Sequence, residues 1–387
     1  MSRSLPYVRL SGFYLFYFAL LGTLVPYWSL YLQSFDMTSQ SIGLLMAMLH
    51  LSRVVAPNIW GWIADKTGQR IRVVRYGAFL TWVIFIAIFW QTSALGIGVV
   101  MLLFSFFWNA VLPQFEVLTL QHLGESRDRY SQIRLWGSVG FILAVVGTGA
   151  FLDLVNIRWL PLIALMLMIL IWLNTLLIRA PLVETSRQQD ERSLWSIVKT
   201  PQVMVFLIIF FLVQFSHGPY YTFYSVMLQD LGYSRGRIGQ LWAVGVVAEV
   251  LLFMLMPRLF QRFTLRRIML FSLFFCTLRW LLIALYPDKP GLLLFAQLLH
   301  AASFGSLHAV GIALVYHYFS HATQGRGQAL FASAGFGAGG AAGAMLSGLF
   351  WDAWGGQGTF LAAALISLLA MALALWWIYP EKVKRLD

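Results

Sequence analysis

The chain has 387 residues, 60% hydrophobic and 11% charged, with a formal net charge of +12 and a mean hydropathy of +0.75. A soluble domain carries about a quarter charged residues and under half apolar ones, so these proportions exclude an ordinary soluble globular protein and point to lipid as the main solvent. A single cysteine, Cys276, excludes a disulfide framework or a multi-cysteine metal site. The basic residues fall in short clusters between apolar runs rather than in a patch that nucleic acid would use.

Apolar runs long enough to cross a bilayer, about 20 residues each, follow one another at 9–33, 41–63, 74–92, 95–121, 131–153, 159–178, 202–229, 237–257, 268–286, 291–318, 327–351 and 358–379. The first is too long for a cleaved signal peptide and lacks a small-x-small site, so it is expected to stay in the mature protein. Of the 27 Lys and Arg, twenty lie in one set of loops and termini, among them Arg3, Lys66, Arg127, Arg187, Arg267 and Lys382. The opposite loops carry only Arg158, Arg235, Arg237 and Lys289. That bias predicts a multi-pass protein of the inner membrane with both termini in the cytoplasm.

The longest polar stretch, "RAPLVETSRQQDERSLWSIVKTPQ", separates six spans from six. The expected organisation is a half at 1–178, a cytoplasmic linker at 179–201 and a second half at 202–387. The fold class is therefore an all-α integral membrane protein, twelve transmembrane helices in two pseudo-symmetric halves. Residues 41–57, "SIGLLMAMLHLSRVVAP", align without gaps on 237–253, "RIGQLWAVGVVAEVLLF", placing Arg53 opposite Glu249. "SVGF" at 138–141 echoes "SAGF" at 333–336. Internal duplication with substrate sites at the repeat interface is a recurring transporter design.

The loop after the second span reads "GWIADKTGQRIR", 61–72. Gly61 allows two helices to approach closely, Gly68 permits a tight turn, and Asp65 is placed to cap or to pair across the halves. The blander reading of Lys66, Arg70 and Arg72 is that they fix topology. With twelve spans and a duplication, this loop resembles the major facilitator superfamily, whose pattern Gly61, Asp65, Lys66, Gly68, Arg70 and Arg72 match, with Gln69 replacing a usual basic residue. The resemblance implies a gating role for these six. The corresponding second-half loop, "PRLFQRFTLRR", keeps the arginines but has Pro257, Gln261 and Thr264 where Gly, Asp and Gly belong.

Two carboxylates, Glu116 and Glu249, lie well inside spans, and three arginines, Arg53, Arg134 and Arg279, also fall within them. Each charge costs roughly 2.5–3.5 kcal/mol at bilayer depth, so each needs a partner or a water-filled path. Glu116 on the fourth span and Arg134 at the start of the fifth are within reach across a short turn, either as a static staple or as a working pair. The segment around them, "PQFEVLTLQHLGESRDRYSQIRLWGSVGF", is similar to that of the lactose permease type of proton symporter. That resemblance makes Glu116 and Arg134 substrate-binding candidates. "FAQLLHAAS", 295–303, resembles its tenth helix, with His300 matching but Ser303 where that type has its proton-releasing glutamate. Arg279 matches an arginine beside the proton site, which leaves Glu249 as the substitute acid. Arg53, Glu249, Arg279 and His300 are accordingly the proton-coupling candidates. "LWAVGVVAEVLLF", "LRW", "LLH" and "SHGPYYTFY" resemble the phenylpropionate permease family, which implies an aromatic carboxylate as substrate.

At "SHGPYY", Gly218 and Pro219 interrupt the seventh span. There His217 could meet a carboxylate while Tyr220 and Tyr221 stack on a ring; a packing kink is the simpler reading. In "FGAGGAAGAMLSG", Gly335, Gly337 and Gly340 satisfy G-x-G-x-x-G, but a dinucleotide site needs a preceding strand. This is instead a small-residue membrane helix suited to sliding contacts. No Walker sequence, H-E-x-x-H or G-x-S-x-G is present. The expectation is thus a proton-coupled importer of a small organic solute working by alternating access, a monomer in the bilayer with no enzyme activity, no metal, no nucleic-acid partner and no cofactor beyond the proton. The alternatives are a sugar or nucleoside symporter, or an uncoupled facilitator or drug exporter of the same fold.

Overall fold

A computed structural model describes residues 6–180, 194–320 and 323–378. In hydrocarbon, backbone N–H and C=O groups find no water, and a helix satisfies them within one segment. All regular structure among the described residues is helical. The long helices are α1 (Tyr7–Gln33), α2 (Ser39–Thr67), α3 (Arg70–Trp90), α4 (Ala94–Leu123), α5 (Tyr130–Leu154), α6 (Ile157–Leu176), α7 (Pro201–Asp230), α8 (Arg235–Arg262), α9 (Leu265–Leu285) and α10 (Pro290–Tyr318). They are followed by a continuous helical run, Gln324–Trp377. At 1.5 Å per residue, each is long enough to cross about 30 Å of hydrocarbon.

The final run breaks at Gly355, whose φ of 62° and ψ of −176° are open to glycine alone, and so divides into α11 (324–354) and α12 (356–377). Among the described residues, eleven long continuous helices therefore cover the twelve expected spans, the last as far as Trp377. Polar residues set the boundaries between them. Thr38, Ser93 and Thr264 cap α2, α4 and α9 by accepting the N–H of Ser41, Gly96 and Arg267. Gly68 ends α2 at a φ of 66°. Of the expected linker, 181–193 lies outside the described residues, and Leu194–Val198 forms a short helix.

The chain divides into two compact units, Met1–Ser186 with Tyr233–Ala243, and Arg187–Gly232 with Val244–Asp387. The division runs through α8, whose head is grouped with the first unit. The cause is local. Asp153 accepts the N–H groups of Arg235 and Gly236 at 2.8 and 3.0 Å, a carboxylate on a helix N-terminus. The Tyr27 hydroxyl donates to the carbonyls of Val145 and Arg235 at 2.7 and 3.2 Å.

Within the first unit, α1 and α5 meet backbone to backbone. A Cβ at Gly22 would collide with the Phe141 backbone, and one at Gly140 with Leu15. In the second unit, Phe206, Phe210, Met269, Leu314 and Phe331 form the core between α7, α9, α10 and α11. There Gly218 lies against the Gly343 backbone, at the position where the sequence interrupts α7. Gly335 and Gly337 of the α11 glycine motif fall in a wide π turn, Ser333–Gly339, with Gly340 opening the α-helix after it, and none lies in a strand-to-helix loop. A second π turn, Ala301–Ser306, interrupts α10. Such turns free backbone geometry locally and recur at functional sites.

Candidate functional site

The second unit assembles a polar cluster from α7, α8, α9 and α10. Arg279, on α9, is fully buried. Its guanidinium lies 4.1 Å from the ring centre of Tyr220 and 4.6 Å from that of Trp280, within cation–π range. Arg279 Nη1 donates to Ser303 Oγ at 3.2 Å, and Nη2 reaches Gln297 Oε1 at 3.5 Å. Gln297, also fully buried, is held at both ends of its amide. It accepts from the Tyr220 hydroxyl at 2.9 Å and donates to the Tyr224 hydroxyl at 2.7 Å.

One turn further along α10, His300 Nε2 lies 3.6 Å from Glu249 Oε2 on α8, with side chains 8% and 17% exposed. The His300 ring stacks on Phe304 at 5.1 Å and tilts against Tyr220 at 5.9 Å. Two glycines make room for this pair. A Cβ on Gly305 would stand 2.9 Å from Glu249 Cγ, and one on Gly245 would stand 3.3 Å from His300 Cβ. The π turn carries both Ser303 and Gly305, so the irregular part of α10 delivers its residues to Arg279 and Glu249 alike.

His217 sits at the edge of the same cluster. Its Nδ1 lies 2.7 Å from the Val213 carbonyl, its ring meets Trp280 edge-on at 4.8 Å, and Nε2 is buried without a hydrogen-bond partner. Tyr221 stacks beside it at 6.0 Å. Glu249, Arg279 and His300, named from sequence for proton coupling, thus share one cluster with His217, Tyr220 and Tyr221, named for substrate contact. Gln297, Tyr224 and Trp280 complete it and were not singled out in the sequence. The signal for Gln297 was its place three residues before His300 in "FAQLLH".

The first unit holds a looser arrangement. Arg53 Nε donates to Asn109 Oδ1 at 3.4 Å, and Asn109 donates to Ser52 Oγ at 2.7 Å. Arg134 lies over the Phe18 ring at 3.8 Å, with Tyr14 at 5.8 Å, its head resting against Gly137. Glu116 accepts from the Tyr130 hydroxyl at 3.4 Å. Glu116 and Arg134 do not form an ion pair here, because an aromatic face takes the guanidinium and a tyrosine takes the carboxylate.

The loop between α2 and α3 is tied to its own unit. Asp65 pairs with Arg70, whose other nitrogen donates to Gln114 Oε1 on α4. Gly61 faces the Gln114 amide, and a Cβ there would meet its nitrogen at an ordinary contact distance of 3.5 Å. Lys66 lies over Trp62 at 4.8 Å, and Arg72 donates to Gln69 at 2.6 Å. Among the described residues no group of three or more His, Cys, Asp or Glu could hold a metal ion.

Comparison with known proteins gives a consistent result. The model of the MFS_1 like family matches residues 7–362. The chain is 30% identical over 370 residues to the probable 3-phenylpropionic acid transporter of Escherichia coli (strain K12), covering 93% of this chain and 95% of that one. It is 28% identical over 294 residues to the maltose permease of Geobacillus stearothermophilus, with 72% of each chain covered. The crystal structure of the nucleoside transporter NupG superposes with a TM-score of 0.83 at 19% identity, covering 97% of this chain and 100% of the other.

Proposed function

We propose that this chain, which belongs to the MFS_1 like family and is a membrane transporter of the major facilitator type rather than an enzyme, is a proton-coupled symporter importing a small aromatic carboxylate such as 3-phenylpropionate. The observation that carries this reading is the contact of Glu249 with His300 beside the buried, aromatic-flanked Arg279. A protonatable pair and a fixed cation share one polar island in an apolar helix bundle. The name of the Escherichia coli relative supports the substrate class.

In the outward-facing state Glu249 holds the proton, and the anion is drawn in by Arg134, Arg279 or Arg53. Rocking of the bundle then exposes both to the cytoplasm, where the proton and the anion leave. Tyr220, Tyr221 and His217 supply the surface for the ring. Gly61, Asp65, Lys66, Gly68, Arg70 and Arg72 act at the cytoplasmic end as the hinge and tether that move with the cycle. The protein works in the inner membrane with both termini in the cytoplasm, as a monomer needing only the proton as coupling ion. One proton carried with one monocarboxylate is a neutral pair, so the pH difference drives uptake at about 1.4 kcal/mol per unit. The membrane potential, about 2.3 kcal/mol per charge at 100 mV, contributes only if further protons travel.

Proteoliposomes with an acidic exterior test this directly. Labelled 3-phenylpropionate is expected to accumulate above equilibrium and to lose accumulation when a protonophore is added. Entry that only equilibrates would make the protein an uncoupled facilitator. Accumulation of maltose or a nucleoside instead would favour the second reading, which the similarity to the maltose permease and to NupG supports.

A further inference from the structure

Of the three arginines inside the bundle, Arg279 is in the least ordinary position. Arg134 is half-buried on an aromatic face, and Arg53 has an amide oxygen at 3.4 Å. Arg279 is fully buried, and among the described residues it belongs to no ion pair. Its polar neighbours are neutral oxygens, Ser303 Oγ at 3.2 Å, Gln297 Oε1 at 3.5 Å and the Tyr220 hydroxyl, while Nε has no hydrogen-bond partner. A guanidinium is shaped to bind a carboxylate through two parallel hydrogen bonds. Here that fork meets neutral hydroxyls and a distant amide carbonyl, and no carboxylate within ion-pair distance among the described residues.

We propose that the substrate's carboxylate binds to Arg279 within the second unit, taking the place of the Gln297 carbonyl, and that Gln297 is the positioning residue that keeps this cation vacant until the anion arrives. Gln297 suits that role because its oxygen is shared with the Tyr220 hydroxyl and its nitrogen is held by the Tyr224 hydroxyl. It marks the carboxylate position with a neutral group that holds no charge against an incoming anion. Tyr220, stacked on the guanidinium at 4.1 Å, then offers the carboxylate a hydroxyl and lies beside any ring attached to it. Ser303 holds the other terminal nitrogen of the guanidinium. A carboxylate at 297 or 303 would neutralise Arg279 permanently, and the chain carries an amide and an alcohol at those positions. This inference rests on the aromatic-carboxylate reading above.

The test is binding of 3-phenylpropionate to the purified, detergent-solubilised full chain by calorimetry, with the neutral 3-phenylpropanamide as a second ligand. The variants are Gln297→Glu, which sets an acid beside Nη2, and Ser303→Asp, which sets a smaller one beside Nη1. Each is expected to weaken the anion by about thirtyfold or more while leaving the amide within about twofold, with melting temperature unchanged or raised. Should one variant fail to fold, the other gives the same readout from the opposite side of the guanidinium. Native affinity for 3-phenylpropionate in either folded variant would overturn the proposal, as would equal weakening of anion and amide. Wild-type protein that binds neither ligand would refute the aromatic-carboxylate reading itself, and this site with it.

Discussion

Replacing Arg279 by methionine tests whether the cation is uncompensated in the empty protein. Two cation–π contacts are lost, at 4.1 and 4.6 Å, each worth about 1–2 kcal/mol in a dry site. The hydrogen bond to Ser303 at 3.2 Å adds about 1.5 kcal/mol, and the 3.5 Å contact to Gln297 is too long to add much. Against these stands a desolvation penalty of several kcal/mol for a charge with no counter-ion, which methionine removes. Gln297 Oε1 is not orphaned, since it keeps the Tyr220 hydroxyl at 2.9 Å, while Ser303 Oγ retains only a 3.5 Å approach to the His300 carbonyl. Methionine is unbranched and fills much of the space the arginine occupies beside Trp280. The balance falls between zero and about 3 kcal/mol in favour of Arg279→Met. Thermal melts in detergent should show an unchanged midpoint or a rise of up to about 5 °C. A fall of more than about 5 °C would refute the reasoning, because it requires a counter-charge on Arg279 in the resting state.

Gly218→Val should lower the melting midpoint by several degrees, an overpacking cost of about 1–3 kcal/mol, because its side chain would enter the Gly343 backbone. Gly147→Ala, with open space around the added Cβ, is the matched control and should be neutral or slightly stabilising. Asp65→Asn breaks the ion pair to Arg70 without touching the polar cluster of the second unit. Uptake kinetics should then show a maximal rate reduced about fivefold with substrate affinity retained, and lost affinity instead would argue against a gating role.

How much of this was legible before the fold is clear from individual residues. The spans were readable because bilayer thickness dictates their length. The break between the last two was readable because "WGGQG" offers a glycine with no cost at positive φ, and Gly355 takes it. The interruption of α7 was readable at Gly218–Pro219, but not its cause of contact, the Gly343 backbone brought from α11. Glu116 and Arg134 stand at a spacing that allows a pair, yet sequence does not show which rotamer wins. Here Phe18 takes the guanidinium and Tyr130 the carboxylate. Gln297 escaped notice because a neutral amide leaves no mark in a hydropathy pattern, unlike a buried charge. Its importance appears only when α7, α9 and α10 bring two tyrosines and an arginine to its side chain. The π turns were equally hidden, since each adds a residue to a helical turn without changing composition.

The central claim is that Glu249 carries the coupling proton, and the most direct measurement compares two modes of transport in Glu249→Gln. In proteoliposomes with an imposed pH gradient, this variant should lose accumulation of 3-phenylpropionate while exchanging external for internal substrate at close to the wild-type rate. Accumulation that persists in Glu249→Gln and still follows the pH gradient would contradict the account.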